Sequence, residues 1–211
     1  MSSSRNIILN KVNVSPPSAK WQGEPLVPAY TRQAHRTLVQ MFAEKVQASR
    51  CSVETVASAM LVPHRVEAFV KQADLGLDIV VNEVLDNLPW SETAMNRVGA
   101  DLGADGIVAV TDCFAGVAET GTIVMLNNEG RDSRLNFVSA LHIMVLDTSA
   151  IVGAYEDVWA RMAENNIAVP RAVNFITGPS RTADIEQTIE LGAHGPGQVH
   201  IMLIDSESSD V

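Results

Sequence analysis

The chain has 211 residues, 46% apolar and 19% charged, and its 15 basic against 25 acidic side chains give a formal charge of −10. This composition excludes disordered, collagen-like and coiled-coil chains, and the length suits one α/β domain able to bury roughly 70% of its unfolded surface. Residues 1–105 carry 10 basic and 11 acidic side chains, residues 106–211 only 5 and 14, so phosphate backbones and anionic lipid are repelled and neither nucleic acid nor a membrane surface is an expected partner. No lysine follows Lys71, which removes Schiff-base and P-loop chemistry from the second half. The apolar runs at 106–110 and 121–126 stop far short of the ~18 residues of a membrane span. The opening residues lack the pattern of a secretory signal, and the expected location is the cytoplasm. Cys51 and Cys113 are the only cysteines. They cannot supply the four thiolates of an iron–sulfur cluster and read as small apolar residues, so no metal or cofactor is expected in this chain.

In chain order, residues 5–12 have helical spacing and end at a Pro/Ser-rich break over 14–20. With Trp21 and Pro25, residues 1–30 read as a helix and arm draped over a single domain spanning 31–205. An amphipathic helix is predicted over 31–48, where Leu38, Val39, Met41, Phe42 and Val46 fall at helical spacing. Strand-like runs follow at 52–57, 77–84, 106–110, 122–126, 141–146, 172–177 and 199–204, with helical patterns at 63–73, 91–102, 149–165 and 182–191. Near-continuous Val/Ile/Leu strands separated by helices predict a largely parallel sheet covered on both faces. The pair 106–110 and 121–126, with no helix between them, points to an antiparallel stretch or a long loop. Residues 142–147 and 200–205 echo each other as His-Ile-Met…Asp. Alternation puts His and Asp of each strand on opposite faces, so the echo reads as shared core packing, not as a duplicated metal site. Residues 206–211 read as a disordered acidic tail.

Three loops could carry chemistry. In Gly178-Pro179-Ser180-Arg181-Thr182 an apolar strand ends and a helix is predicted to open. Free amides there would face an anion, Ser180 and Thr182 would offer hydroxyls, and Arg181 would take a carboxylate or phosphate. Asp184 and Glu186 would then lie in the first turns, where the helix dipole favours them in any case. In Glu119-Thr120-Gly121-Thr122 a carboxylate stands beside a glycine and two hydroxyls, fit for a base, a nucleophile or a hydroxy-acid binder; a plain hairpin is the alternative. In the third loop Gly192 would end the predicted helix, and His194, Gly195 and Pro196 would return at the far end of the sheet, away from Ser180. Dinucleotide, P-loop, zincin and nucleophile-elbow fingerprints are absent.

Residues 176–186, followed by Gly192-Ala-His-Gly-Pro196, together with residues 118–124, resemble the signatures of the LutC-type lactate-utilisation proteins, the LUD domain family, over about residues 30–205. The resemblance implies a three-layer α/β/α fold, mostly parallel, related to ribose-phosphate isomerase, glucosamine-phosphate deaminase and CoA-transferase domains. It implies a part in oxidising L-lactate to pyruvate with iron–sulfur partner proteins that carry the clusters. Carried over position by position, the family-type loops contain Glu119 (the catalytic candidate), Thr120, Gly121 and Thr122; Gly178, Pro179, Ser180, Arg181, Thr182, Asp184 and Glu186; and His194, Gly195 and Pro196. One departure is the stretch 135–142, which lacks the Leu-Pro turn common before the family's His-bearing strand and suggests a different ligand or a lost activity. The implied function is a component that binds a small carboxylate or serves as an accessory subunit. Alternatives are a self-sufficient enzyme on a phosphosugar or acyl-CoA using Glu119, and a non-catalytic scaffold.

Overall fold

The computed structural model describes residues 34–99, 106–127, 133–185, 188–191 and 195–205, the stretch 182–191 by its backbone alone. The predicted arm, tail and Gly192–His194 loop lie outside the described residues, as does Glu186.

The elements run α1 (His35–Ala48), β1 (Ser52–Val56), α2 (Val62–Gln72), β2 (Asp78–Val81), β3 (Asn96–Arg97), β4 (Val108–Asp112), β5 (Ala115–Val117), β6 (Thr122–Leu126), α3 (Leu135–Val138), β7 (Leu141–Asp147), β8 (Ile151–Val152), α4 (Tyr155–Glu164), β9 (Val173–Ile176), β10 (Arg181–Ile185), β11 (Thr188–Leu191) and β12 (Gln198–Ile204). Six strands form a sheet in the order β1-β12-β7-β4-β2-β3, and every pairing in it is parallel. The predicted parallel α/β architecture is what forms.

Strand alternation divides the central sheet into two apolar faces. On one, Leu141, Ile143, Val145 and Met202 pack with Val62, Val66 and Val70 of α2. On the other, Met144, Leu146, Val199, Ile201 and Leu203 meet Leu38, Phe42 and Val46 of α1. This second flank also holds a four-stranded mixed sheet, β8-β5-β6-β9, whose Ile123 and Met125 join the same core. Gly116 of β5 is wedged between the layers: a methyl group there would lie 2.7 Å from Leu146 Cδ2 and 2.9 Å from Phe42 Cε2.

Three predicted helices need correction. In place of the expected helix over 182–191, Arg181–Ile185 and Thr188–Leu191 pair as the antiparallel strands β10 and β11, because the β-branched Thr182, Ile185, Thr188 and Ile189 favour extended backbone over a helix their spacing alone would allow. Within 91–102, residues 90–92 make a 3₁₀ turn and Asn96–Arg97 pairs with β2; the turn is pinned by the buried Trp90, whose Nε1–H donates to Leu85 O at 2.8 Å. Over 149–165 the helix begins only at Tyr155, after the short strand β8 has paired with β5. There the Asp157 carboxylate accepts the Ala154 N–H at 2.9 Å, a helix-start contact. The strand at 172–177 also moves: it is β9, antiparallel to β6 in the second sheet, not a member of the parallel one. The His-Ile-Met echo is out of step by one residue, since Val199 pairs with His142 and His200 with Ile143. The two histidines therefore lie on opposite faces of the central sheet.

Candidate functional site

Because β9 runs antiparallel to β6, Thr177 arrives beside Thr122, and two of the predicted loops meet there. Thr122 Oγ1 is 2.7 Å from Thr177 Oγ1, 2.7 Å from Thr120 Oγ1 and 2.9 Å from the Tyr155 hydroxyl, while the Thr120 hydroxyl donates to Tyr155 at 3.1 Å. Thr122 is fully buried, so its hydroxyl acts inside this network. Glu119 is half-buried beside it, its backbone N–H donating to Gly153 O at 3.1 Å.

Both loop glycines press on one place, the junction of α1 with β1. Gly121 has φ +67°, and a Cβ there would stand 2.6 Å from Val46 N and 2.7 Å from Lys45 C. Gly178 has φ +102°, and its Cβ would stand 2.7 Å from Ser49 O. Only glycine combines that backbone with such an approach. The Arg181 Nη2–H donates to the same Ser49 carbonyl at 2.8 Å. Arg181 is the exposed first residue of β10, so the expected helix N-terminus after Gly178 does not exist. Thr182 and Asp184 are strand residues instead of caps. Pro179 is buried. The hairpin returns the chain to where it left: Ser180 N–H donates to Pro196 O at 2.8 Å, and a Cβ on Gly195 would lie 3.2 Å from Ser180 Cβ. The third loop is thus not at the far end of the sheet, and its described part, Gly195 and Pro196, sits on Ser180.

What these loops hold is the turn after α1. Arg50 N–H donates to Gln47 O at 2.9 Å and Cys51 N–H to Val46 O at 3.2 Å, the paired bonds of a helix stop that normally places glycine at the left-handed position. Here Arg50 occupies it with φ 66°. Left-handed backbone costs a non-glycine about 1–2 kcal/mol, whereas glycine loses about 0.5–1 kcal/mol of extra entropy. Arg50→Gly is accordingly expected to stabilise the fold by about 0.5–1 kcal/mol, which thermal unfolding would read as a rise of about 1–4 °C.

The strained arginine borders a cavity of about 320 Å³ lined by Arg50, Cys51, Ser52, Phe69, Gly197, Gln198 and Val199. It opens at the amino ends of β1 and β12, opposite to the carboxyl edge where α/β ligands commonly bind. At that carboxyl edge Asn82 Nδ2–H donates to Asp112 Oδ1 at 2.6 Å, and Asp147 Oδ1 accepts the Ser149 N–H at 2.8 Å. Burial pushes the Cys51 thiol up to about 11, against a smaller pull from Arg181, so the cavity wall carries a thiol and not a nucleophilic thiolate. Cys51 is buried and Cys113 half-buried.

A chain of polar side chains starts at the cavity. Ser52 Oγ lies 2.8 Å from His200 Nδ1 and His200 Nε2 lies 3.4 Å from Glu54 Oε1. The Arg65 Nε–H donates to Glu54 Oε2 at 3.2 Å, and its Nη2 makes a second contact with the same oxygen. Phe69 stacks on the imidazole with ring centroids 3.9 Å apart. Burial holds His200 below its ordinary value, opposed in part by Glu54. Strand register accounts for the first link, since Ser52 and His200 are direct cross-strand partners. None of Arg50, Ser52, Glu54, Phe69 or His200 was a predicted site residue. The available signal was the polar alternation Ser52–Glu54 on a strand expected to be doubly covered.

Residues 102–204, just under half of this α/β chain, match the LUD domain model. It is similar to proteins called lactate utilization protein C: 30% identical over 134 residues to that of Geobacillus thermodenitrificans (59% of this chain, 55% of that one). It is 32% identical over 118 residues to that of another Geobacillus strain (54% and 48%) and 30% identical over 126 residues to that of Bacillus subtilis (55% and 52%). The aligned part spans about half the length of these relatives. A crystal structure of a DUF162 family protein from Deinococcus radiodurans superposes with a TM-score of 0.58 at 19% identity, covering 82% of this chain and 99% of that one, which shows the shared fold. These matches support the LutC-type resemblance expected from the loops. Among the described residues no helix is long and apolar enough to cross a membrane, and no cluster of His, Cys, Asp or Glu forms a metal site.

Proposed function

We infer that this chain is a LutC-type component of L-lactate utilisation, working in the cytoplasm beside iron–sulfur proteins that carry the redox centres. The carrying observation is that the two LutC-type loops converge on Lys45, Val46 and Ser49 of the α1–β1 turn, whose next residue, Arg50, lines a cavity. A cation presented this way in a chain of net charge −10 suits a small anion, which is repelled elsewhere and attracted there. The names of the relatives, each a lactate utilization protein C, supply the metabolic setting. The two cysteines of this chain, one buried and one half-buried, leave cluster ligation to partners. Deleting this chain from its source organism is expected to abolish growth on L-lactate while leaving growth on a sugar intact, with recovery when the wild-type chain is restored. Unimpaired growth on L-lactate would remove the chain from that role.

A further inference from the structure

We propose that the cavity at the amino ends of β1 and β12 is a binding site for a small 2-hydroxycarboxylate, with Arg50 taking the carboxylate and Ser52 accepting the hydrogen bond of the hydroxyl. This rests on the lactate reading for the choice of first ligand; the chemical class follows from the hydrogen-bond polarity of the wall.

That polarity can be assigned. Glu54 is ion-paired with Arg65, and its carboxylate oxygens accept, so the His200 nitrogen facing it, Nε2, carries the proton. Burial keeps the ring neutral, and Nδ1 is then an acceptor. At 2.8 Å the Ser52 hydroxyl must donate to Nδ1. Its own proton is directed away from the cavity, and its oxygen lone pairs remain for a ligand. Ser52 is exposed and lines the cavity, so it presents an acceptor to whatever enters. Phe69 stacks on the imidazole at 3.9 Å, which holds the plane of the ring.

A ligand that satisfies both groups carries a negative charge for Arg50 and a hydroxyl donor close to it. A 2-hydroxycarboxylate has both on adjacent carbons. The matching 2-oxo acid has the charge but offers a carbonyl acceptor, which would face the Ser52 lone pairs unpaired; a simple carboxylate lacks the hydroxyl altogether. The site therefore selects a hydroxy acid over its own oxidation product, the preference a protein needs if it is to engage substrate and release product. Phe69, an apolar residue of the same wall, lines the cavity beside these groups. Arg181, whose charge reaches Cys51 in the same wall, adds to the attraction from behind the α1–β1 turn.

The test is ligand-observed NMR titration of the full chain with L-lactate, pyruvate, propionate, glycolate and 2-hydroxybutyrate. It is repeated for Ser52→Ala and Arg50→Gln, with circular dichroism confirming that each variant folds. L-Lactate is expected to bind about fivefold to tenfold more tightly than pyruvate or propionate, the worth of one ordinary hydrogen bond. Ser52→Ala should erase that preference while retaining weak binding of all the acids. Arg50→Gln, which keeps the same backbone demand, should weaken every acid by about tenfold or more, the loss of a charge-assisted contact. Binding of glycolate or 2-hydroxybutyrate without L-lactate would uphold the site while removing lactate from its role. No binding of any acid, equal binding of L-lactate and propionate, or indifference to Arg50→Gln would overturn the proposal.

Discussion

Gly121→Ala is expected to destabilise the protein by about 2–5 kcal/mol, a large share of the few to fifteen kcal/mol that keep a domain folded. Two penalties combine. The left-handed backbone, φ +67°, costs a side-chain-bearing residue about 1–2 kcal/mol. The new methyl group would meet Val46 N at 2.6 Å and Lys45 C at 2.7 Å, and helix backbone yields far less than a side-chain tip, so overpacking adds about 1–3 kcal/mol. Gly106→Ala separates the terms: its φ is +78° but nothing lies within 4 Å, so only the backbone penalty of about 1–2 kcal/mol applies. Urea unfolding of both variants checks this. Equal losses at the two positions would mean that Gly121 does not carry the contact with α1.

Acid is expected to unfold the protein early, and His142 is the largest identified reason. It is fully buried, its Nε2 lies 2.8 Å from Thr111 Oγ1, and its Nδ1 has no partner among the described residues. Burial pulls its pKa from 6.5 to about 3. Between those values the unfolded chain binds a proton that the folded chain refuses, so stability is complete above pH 6.5 and falls as pH drops toward 3. One such group contributes a slope of up to about 1.4 kcal/mol per pH unit. His200 is shifted in the same direction by burial and adds to the loss. Replacing both partners, Thr111→Val with His142→Leu, removes one titrating group without stranding the other's hydroxyl. Denaturation followed from neutral to acid pH should give a shallower decline for that double variant than for the wild type, with the remainder due to His200 and the carboxylates. A decline of unchanged steepness would contradict the assignment.

The parallel core was legible because its strands are apolar on both faces. The runs at 106–110, 141–146 and 199–204 need no partner information to be read as doubly covered strands, and they fall on β4, β7 and β12, while Leu38, Phe42 and Val46 form the buried face of α1. Residues 182–191 were not legible by spacing, because Ile185 and Ile189 sit one helical turn apart while the surrounding β-branched residues prefer strand, and tertiary pairing decided between them. The candidate loops are legible as places where unusual residues gather, but their spacing cannot distinguish touching a ligand from touching backbone. Gly121, Gly178 and Arg181 contact Lys45, Val46 and Ser49, residues more than 70 positions away in sequence. The cavity was illegible for the same reason: Ser52 and His200 are separated by 148 residues and meet only through strand register.

The central claim is that the LutC-type loops serve a working site at Arg50 by holding its turn. The most direct measurement is growth on L-lactate of a strain lacking this chain and complemented with Arg50→Gly. That variant relieves the φ 66° strain and should accumulate to wild-type levels with a slightly higher melting temperature, yet fail to restore growth. Growth equal to the wild-type complement would show that the Arg50 side chain has no part in the function and would contradict the account.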